Sequence, residues 1–374
     1  MYMQLRYKFR LYPTQDQRKA LANAFGCART VYNDALRVRR EAMEKGDPLP
    51  RSGDLAKLLI TQAKKTPERA WLAETSNVVL QQALRDLDVA YSNFFRSLNG
   101  ARKGGRVGKP KFRSRKDRHQ AIRLCRNAFV LRPNGRLYVA KIGDVAVRWS
   151  RSLPSDPSSV TVIMDASGRY FASFVVETDP AEVLPEAAQD VGIDLGLTHF
   201  AVLSDGRKIS SPKFMRRAER KLRKAQQAVS RKRQGSANRR KATNRVARLH
   251  AHVADARRDF HHKLSTTIIR ENQAVYVEDL AVKGLARTRL AKSVHDAGWS
   301  QFTAMLEYKA VRYGRTFDRV DRWLPSSQTC HMCLVIDGPK PLSVRQWTCE
   351  ACGAVHDRDV NAARIILAAG RAER

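Results

Sequence analysis

The sequence predicts an α+β protein of two or three domains: a small β-barrel interrupted by helices, then a second half of strands and helices around a cysteine-rich ribbon. Three observations predict it. A chain of 374 residues, 43% of them hydrophobic, can bury more than one core. One alternating strand at the start is separated from later hairpins by strongly helical sequence. The second half opens on short apolar strands, passes through a long helical stretch and ends in two paired cysteine motifs.

In residues 3–11, Met3, Leu5, Tyr7, Phe9 and Leu11 fall on one face and Gln4, Arg6, Lys8 and Arg10 on the other, the period of a half-buried strand with a basic outer face. Tyr12-Pro13 ends it, and Thr14 with Gln17 forms a capping-box pattern that starts a helix. Leu21, Phe25, Ala28, Tyr32, Ala35 and Leu36 continue at helical spacing. Residues 41–75 are mixed, with breaks at Gly46-Asp47-Pro48 and Pro67. From Asn77 a second helix runs through Leu80, Leu84, Leu87, Tyr91, Phe94 and Phe95, a stripe at the period of a core. Residues 100–118 combine glycines and basic residues with one acid, Asp117, a composition expected on phosphates rather than packed on protein. Hairpins follow at Phe129–Ala140 and Val160–Val176. Residues 178–188, rich in Pro, Ala and acids, read as a linker.

The second half begins with the strand Val191-Gly192-Ile193-Asp194, turns at Leu195-Gly196 and resumes from His199 to Leu203 before a tight Ser204-Asp205-Gly206 turn. Residues 213–265 form a helical hairpin broken at Gln234-Gly235-Ser236, with 18 Lys or Arg against Glu219, Asp255 and Asp259. Like charges at this density repel along a helix, so an anionic partner is the better account. Ala274-Val275-Tyr276-Val277 is apolar without alternation, as in a strand covered on both faces, and it ends at Glu278-Asp279. A helix over 297–313 carries Trp299, Phe302, Leu306 and Tyr313, and a last helix spans about Asn361 to Ala369.

Lys plus Arg number 70 and Asp plus Glu 36, a net charge of +34. Self-repulsion of that size calls for a polyanion, which means nucleic acid. The candidate phosphate contacts are Lys109, Lys111 and Arg113 in the basic loop and Arg231, Lys232, Arg233, Arg239, Arg240 and Lys241 in the hairpin. No window has the roughly 18 apolar residues of a membrane helix. Met1 to Tyr12 lacks an apolar signal core, so a cytoplasmic protein is expected.

Cys330, Cys333, Cys349 and Cys352 read as two C-x2-C knuckles, four thiolates for one structural zinc with no open position for chemistry. His331 reads as a bystander and His356 as structural or facing nucleic acid. Cys27 and Cys125 read as buried core thiols. Three acids suit a two-metal phosphodiesterase: Asp194 closing an apolar strand, Glu278 ending another, and Asp359 just before the last helix. Each has a plainer reading alone, as a turn former, a surface acid or an N-cap. Together, in a chain so short of acids, they point to a nuclease. Asp279 and Asp357 are neighbours that fit less well, one on the opposite pleat and one further from the helix.

At these residues the chain resembles the TnpB family of insertion-sequence proteins related to type V CRISPR effectors. Tyr7-Lys8-Phe9-Arg10-Leu11-Tyr12-Pro13-Thr14 resembles that family's opening and Gly108-Lys109-Pro110-Lys111-Phe112 its basic loop. Gly192-Ile193-Asp194-Leu195-Gly196, Val277-Glu278-Asp279-Leu280 and Asp357-Arg358-Asp359-Val360-Asn361-Ala362-Ala363 resemble its three RuvC motifs. The run from Arg322 to Cys330 resembles its approach to the zinc ribbon. Leu334, where the family has Gly, is a departure that bears on the knuckle's turn.

The resemblance implies a β-barrel wedge domain at 1–13 and 119–180, a helical recognition domain inserted at 14–118, and an RNase H-like (RuvC) α/β domain at 187–374 with a zinc ribbon at 326–356. It implies an RNA-guided DNA endonuclease of a transposable element, using Mg2+ at Asp194, Glu278 and Asp359 and Zn2+ at the four cysteines. Its partners would be a guide RNA from the element and a double-stranded DNA target beside a short motif, in a monomeric ribonucleoprotein. The alternatives are a nuclease-inactive RNA-guided repressor and a DNA strand-transfer transposase.

Overall fold

The computed structural model describes residues 3–102, 104–178, 183–341 and 343–373, and the strand expected at the start is β1 (Met3–Tyr12), with Tyr7, Phe9 and Leu11 buried. Residues 1–2 and 179–180 at the ends of the expected barrel segments, residues 179–182 of the expected linker, Lys103 of the basic loop and residue 342 of the ribbon lie outside the described residues. The chain divides into two compact units, Met1–Asp179 and Pro180–Arg374.

In the first unit, Thr14 and Gln17 exchange both capping-box hydrogen bonds and start α1 (Gln15–Lys45), which ends at a left-handed Gly46. A short α2 (Ser52–Ala56) and irregular turns lead to α3 (Asn77–Leu98). Six strands follow: β2 (Gln120–Cys125), β3 (Phe129–Leu131), β4 (Leu137–Val139), β5 (Gly143–Arg148), β6 (Ser159–Met164) and β7 (Tyr170–Thr178). They form one sheet with β1 in the order β2-β6-β7-β1-β5-β4-β3. Its edge strands β2 and β3 are joined by the single turn Arg126–Ala128, so the sheet curls back on itself into a nearly closed barrel. β1 lies antiparallel between β5 and β7, and its apolar face joins Phe174 and the buried faces of α1 and α3 in one core.

Two expectations need correction here. Phe95 is exposed, not part of the buried stripe. The basic loop is partly packed on protein. Asn33 and Arg113 exchange two hydrogen bonds, of 2.9 and 2.8 Å, and the Arg113 guanidinium lies 3.8 Å from the Tyr32 ring and 3.3 Å from Asp86. Arg40 donates to the Pro110 carbonyl and covers Phe112. A carboxylate and aromatic faces supply the negative potential that the loop composition did not reveal.

The second unit is built on the sheet β10-β9-β8-β11-β12. The strands β8 (Asp190–Asp194), β9 (His199–Leu203) and β10 (Lys208–Ser210) run as an antiparallel meander. β11 (Ala274–Glu278) is parallel to both β8 and β12 (Thr316–Val320), which is why its sequence shows no polar alternation. Between them come the basic hairpin α4 (Phe214–Ser230) and α5 (Ala237–Glu271), then α6 (Val282–Leu285), α7 (Ala291–Ala297) and α8 (Trp299–Tyr313). The ribbon pairs β13 (Gln346–Thr348) with β14 (Val355–Asp357), and α9 (Arg358–Ala372) packs on β8 and β11. The residues expected to be a linker are tied to this unit where described. Leu184 donates to the Tyr313 carbonyl, Arg315 to the Pro185 carbonyl and Ala187 to the Gln273 side chain. Among the described residues no helix is long and apolar enough to cross a membrane.

Candidate active site

Asp194 ends β8 and Glu278 ends β11, and the parallel register pairs Val277 with Ile193. The next residue on each strand is therefore a carboxylate leaving the same sheet edge. Asp359 arrives from the first turn of α9. Burial above all, then Asp359 and Glu278, raise the Asp194 carboxyl from the usual carboxylate range to about 7, with Arg358 and Arg345 opposing. Glu278 is raised by burial and by Asp279. Among the described residues neither the Asp194 nor the Glu278 carboxylate makes an ion pair. The three acids are more loosely grouped than the cysteines, which form the only set of such ligand atoms within 4.8 Å of one another among the described residues.

Two residues that sequence reasoning missed face Asp359. Arg345 Nη1 lies 3.4 Å from its Oδ1 and Nη2 reaches Thr198 Oγ1 at 3.3 Å, while His199 Nδ1 stands 3.9 Å from Oδ2. His199 carried a weak signal, opening the strand after Asp194. Arg345 carried none, because its approach depends on how the ribbon folds over α9.

The neighbouring acids are otherwise engaged. Asp357 is the N-cap of α9, accepting from Val360 N at 3.1 Å, and pairs with Lys208 at 2.5 Å. Asp359 therefore lies inside the helix, not before it, and the N-cap reading belongs to Asp357. Asp279 pairs with Arg322.

The four cysteine sulfurs cluster, with Cys330–Cys352 and Cys333–Cys349 separations of 3.7 Å. A tetrahedral zinc with Zn–S bonds of about 2.3 Å has sulfur–sulfur edges of about 3.8 Å, so the sulfurs fit that ion. Burial pushes the Cys330 thiol up, but the backbone N–H groups of Cys333 and Met332, with His356, outweigh it and hold the group at about 6. His356 is buried with Nε2 3.0 Å from Cys330 Sγ, so it does not face nucleic acid. Leu334 takes the left-handed φ of 62° that its family-typical Gly would adopt freely.

His331 is no bystander. Asn361, only 1% exposed, accepts the His331 N–H at 3.0 Å and donates to the Thr329 carbonyl at 2.7 Å and the Ser326 carbonyl at 3.4 Å. His331 Nδ1 lies 3.0 Å from the same Asn361 oxygen, and Arg364 donates to Nε2 at 2.8 Å. The first knuckle is thus clamped to α9 two residues beyond Asp359.

Of the candidate phosphate contacts, Arg231, Arg233, Arg240, Lys241, Lys109 and Lys111 are exposed, and Lys232 and Arg113 half-buried. Arg239 donates to the Val229 and Lys232 carbonyls at 3.1 and 2.8 Å, closing the end of α4. Cys27 is buried. Cys125 is only half-buried, with its sulfur accepting from Gln82.

Comparison with known proteins places these features in a family. A model described as "Probable transposase" (OrfB_IS605) matches residues 173–289, one described as "Cas12f1-like, TNB domain" matches 299–366, and a helix-turn-helix model matches 1–47. Over the described residues of that last stretch, 3–47, the structure has β1 and the single unbroken helix α1, not two helices. A "Putative RNA-guided DNA endonuclease" of Streptomyces pristinaespiralis is 47% identical over 370 residues, 98% of this chain and 89% of the relative. The similarly named InsQ of Escherichia coli K12 is 30% identical over 382 residues, 98% of this chain and 92% of the relative. A TnpB-like protein of Acanthamoeba polyphaga mimivirus is 23% identical, over 97% of this chain and 72% of its own. Among solved structures, that of a Cas12f1-sgRNA-target DNA complex superposes with a TM-score of 0.58 at 12% identity, covering 98% of both chains. The mini-RNA-guided endonuclease CRISPR-Cas phi3 gives 0.56 at 10%, covering 98% of this chain and 92% of its own. At such identities the likeness is one of fold.

Proposed function

This chain belongs to the OrfB/TnpB family, and on that premise we propose that it is an RNA-guided DNA endonuclease of a transposable element, cutting by two-metal phosphodiester hydrolysis at Asp194, Glu278 and Asp359. The observation that carries this reading is the parallel register that delivers Asp194 and Glu278 to one sheet edge, with Asp359 near enough to help raise the Asp194 carboxyl, inside a chain of net charge +34. A protein with so few acids gains nothing in stability by crowding three of them. The crowding makes sense if cations complete the site, and oxygen donors suit hard ions such as Mg2+. When bound, two such ions would activate the attacking water and stabilise the leaving oxygen. The protein's own contribution is rigid presentation: two carboxylates on paired parallel strands and a third on a helix clamped through Asn361.

Cys330, Cys333, Cys349 and Cys352 would hold a structural zinc, saturated and outside the chemistry. Its role is to carry Arg345 to Asp359 and to support the clamp. The exposed cations of the α4–α5 hairpin and of the basic loop suit phosphates of a guide RNA and of its DNA target, whose sequence is selected by base pairing. A nuclease-inactive repressor is not favoured, since all three carboxylates are present.

The test is Asp194→Ala in the complex purified with RNA from cells carrying the native locus. Cleavage of matched DNA in Mg2+ should fall by about a hundred- to a thousandfold, as expected when a charge-stabilising group is removed, while the RNA stays bound. Persistent cleavage, or loss of the RNA instead, overturns the assignment.

A further inference from the structure

Of the chain's five tryptophans only Trp323 is exposed, with 84% of its surface open to solvent. Its backbone is held by a tight turn after β12. Trp323 N donates to Asp321 Oδ1 at 2.7 Å and Leu324 N donates to the Asp321 carbonyl at 3.1 Å. Leu324 then packs against the buried Tyr276, Val320 and Ile366. With its neighbour anchored inward, the indole is presented outward.

A lone exposed apolar side chain needs no explanation. The surroundings of this one do. Trp323 lines a cavity of about 420 Å³ together with Asp279, Arg319 and Arg322. Those same three residues line a second cavity, of about 620 Å³, that reaches Lys283 and Glu278. The two cavities adjoin at these three residues, so the groove beside the indole borders the one that Glu278 lines. Arg322 is fixed there by its pair with Asp279, and Arg319 by Glu307 at 2.7 Å. In the wall of the larger cavity, the buried Trp299 indole N–H has no hydrogen-bond partner among the described residues.

An open aromatic face beside fixed guanidinium groups suits an unpaired nucleotide: the face stacks on any base and the cations meet its phosphates. A base inside a duplex offers no free face. We propose that this groove carries the DNA strand presented for cutting, unpaired at this point, with one base stacked on Trp323 and the neighbouring phosphates at Arg319 and Arg322. The proposal rests on the endonuclease reading and specifies the path of the substrate strand within it.

The test uses the RNA-loaded complex made catalytically silent by Asp194→Ala. Its probe is a DNA target matched to that RNA, carrying 2-aminopurine at successive positions of the stretch beyond the RNA pairing, whose fluorescence drops on stacking. Quenching confined to one or two positions near the cut is expected. Trp323→Ala and Trp323→Leu should abolish it there and weaken strand binding about tenfold or more, while Trp323→Phe retains both and RNA content is unchanged. In the complex with Asp194 intact, Trp323→Ala should raise KM more than it lowers kcat. The proposal is overturned if no position depends on residue 323, or if Trp323→Leu behaves as the wild type. It is equally overturned if Trp323→Ala sheds the RNA, or disturbs only a protein partner. Should the wild-type complex cut no DNA, the endonuclease reading falls, and the fluorescence comparison still decides the strand path.

Discussion

Gly192 offers the sharpest test of how α9 sets the site. It lies in β8 two residues before Asp194, bonded to Ser204 through both its N–H and its carbonyl. A methyl at its Cα would stand 2.5 Å from Leu367 N and 2.9 Å from Leu367 Cβ, and closer still to the Ala363 carbonyl oxygen. None of these is the end of a flexible side chain, because two are backbone atoms of α9. For Gly192→Ala to fold, β8 and α9 must separate by roughly 1 Å to restore ordinary van der Waals contact. Asp194 and Asp359 sit on those two elements, so the same separation spreads the carboxylates. A misplacement of about 1 Å costs on the order of a hundredfold in rate, or about 2.7 kcal/mol of barrier. Overpacking should also lower stability by about 1–3 kcal/mol. The assay is single-turnover cleavage by the RNA-loaded complex, beside thermal unfolding and zinc content. A folded Gly192→Ala protein with normal zinc that cleaves within about twofold of the wild type would refute the coupling between helix spacing and carboxylate geometry.

Three further outcomes follow from the same structure. Leu334→Gly should relieve the left-handed strain at φ 62° and stabilise the knuckle by about 0.5–1 kcal/mol, read as slower zinc release to a chelator; Leu334→Ala should gain nothing. His261, fully buried beside Phe200 and Phe302, has its pKa lowered to about 4 by burial foremost, and by Arg257, against the opposing hydrogen bond to the Ala297 carbonyl. The unfolded chain protonates this group near 6.5 and the folded chain only near 4. Stability is therefore lost as pH falls through that window, by up to about 3 kcal/mol. His261→Leu should lose less stability between pH 7 and pH 5 than the wild type; an equal loss would contradict the reasoning. Charge reversal at the exposed Arg240 and Lys241 should weaken nucleic-acid affinity and lower the slope of its logarithm against log salt by roughly 1 to 2, and an unchanged slope would take the hairpin off the phosphates.

Local patterns were legible wherever neighbours in sequence made the interaction. The Thr14–Gln17 capping box, the alternation of β1, the helical stripe from Leu21 to Leu36 and the unalternating β11 all fold as their spacing predicts. The two C-x2-C pairs are close in sequence within each knuckle, and their sulfurs cluster as expected. What spacing left unread was the further contacts these residues make within the fold. Arg113, read as a phosphate contact, also rests on Tyr32 and Asp86; Arg239, read likewise, also closes the end of α4; and the segment read as a linker is bonded, where described, to α8 and Gln273.

The sequence by itself determined which residue types were available for chemistry: three acids at the ends of apolar strands or at the last helix, four thiols in knuckles, and a large excess of cations. Those follow from periodicity and short spacing, because backbone geometry repeats every two residues in a strand and every 3.6 in a helix. Only the tertiary structure decided how those residues are used. It brought Arg345 and His199 to Asp359, locked His331 to α9 through Asn361, and left Trp323 facing outward over a groove that borders the cavity lined by Glu278. Contacts between residues 14 to 160 positions apart depend on how sheets and helices pack, and packing depends on the shape of every side chain at the interface, which no local pattern encodes.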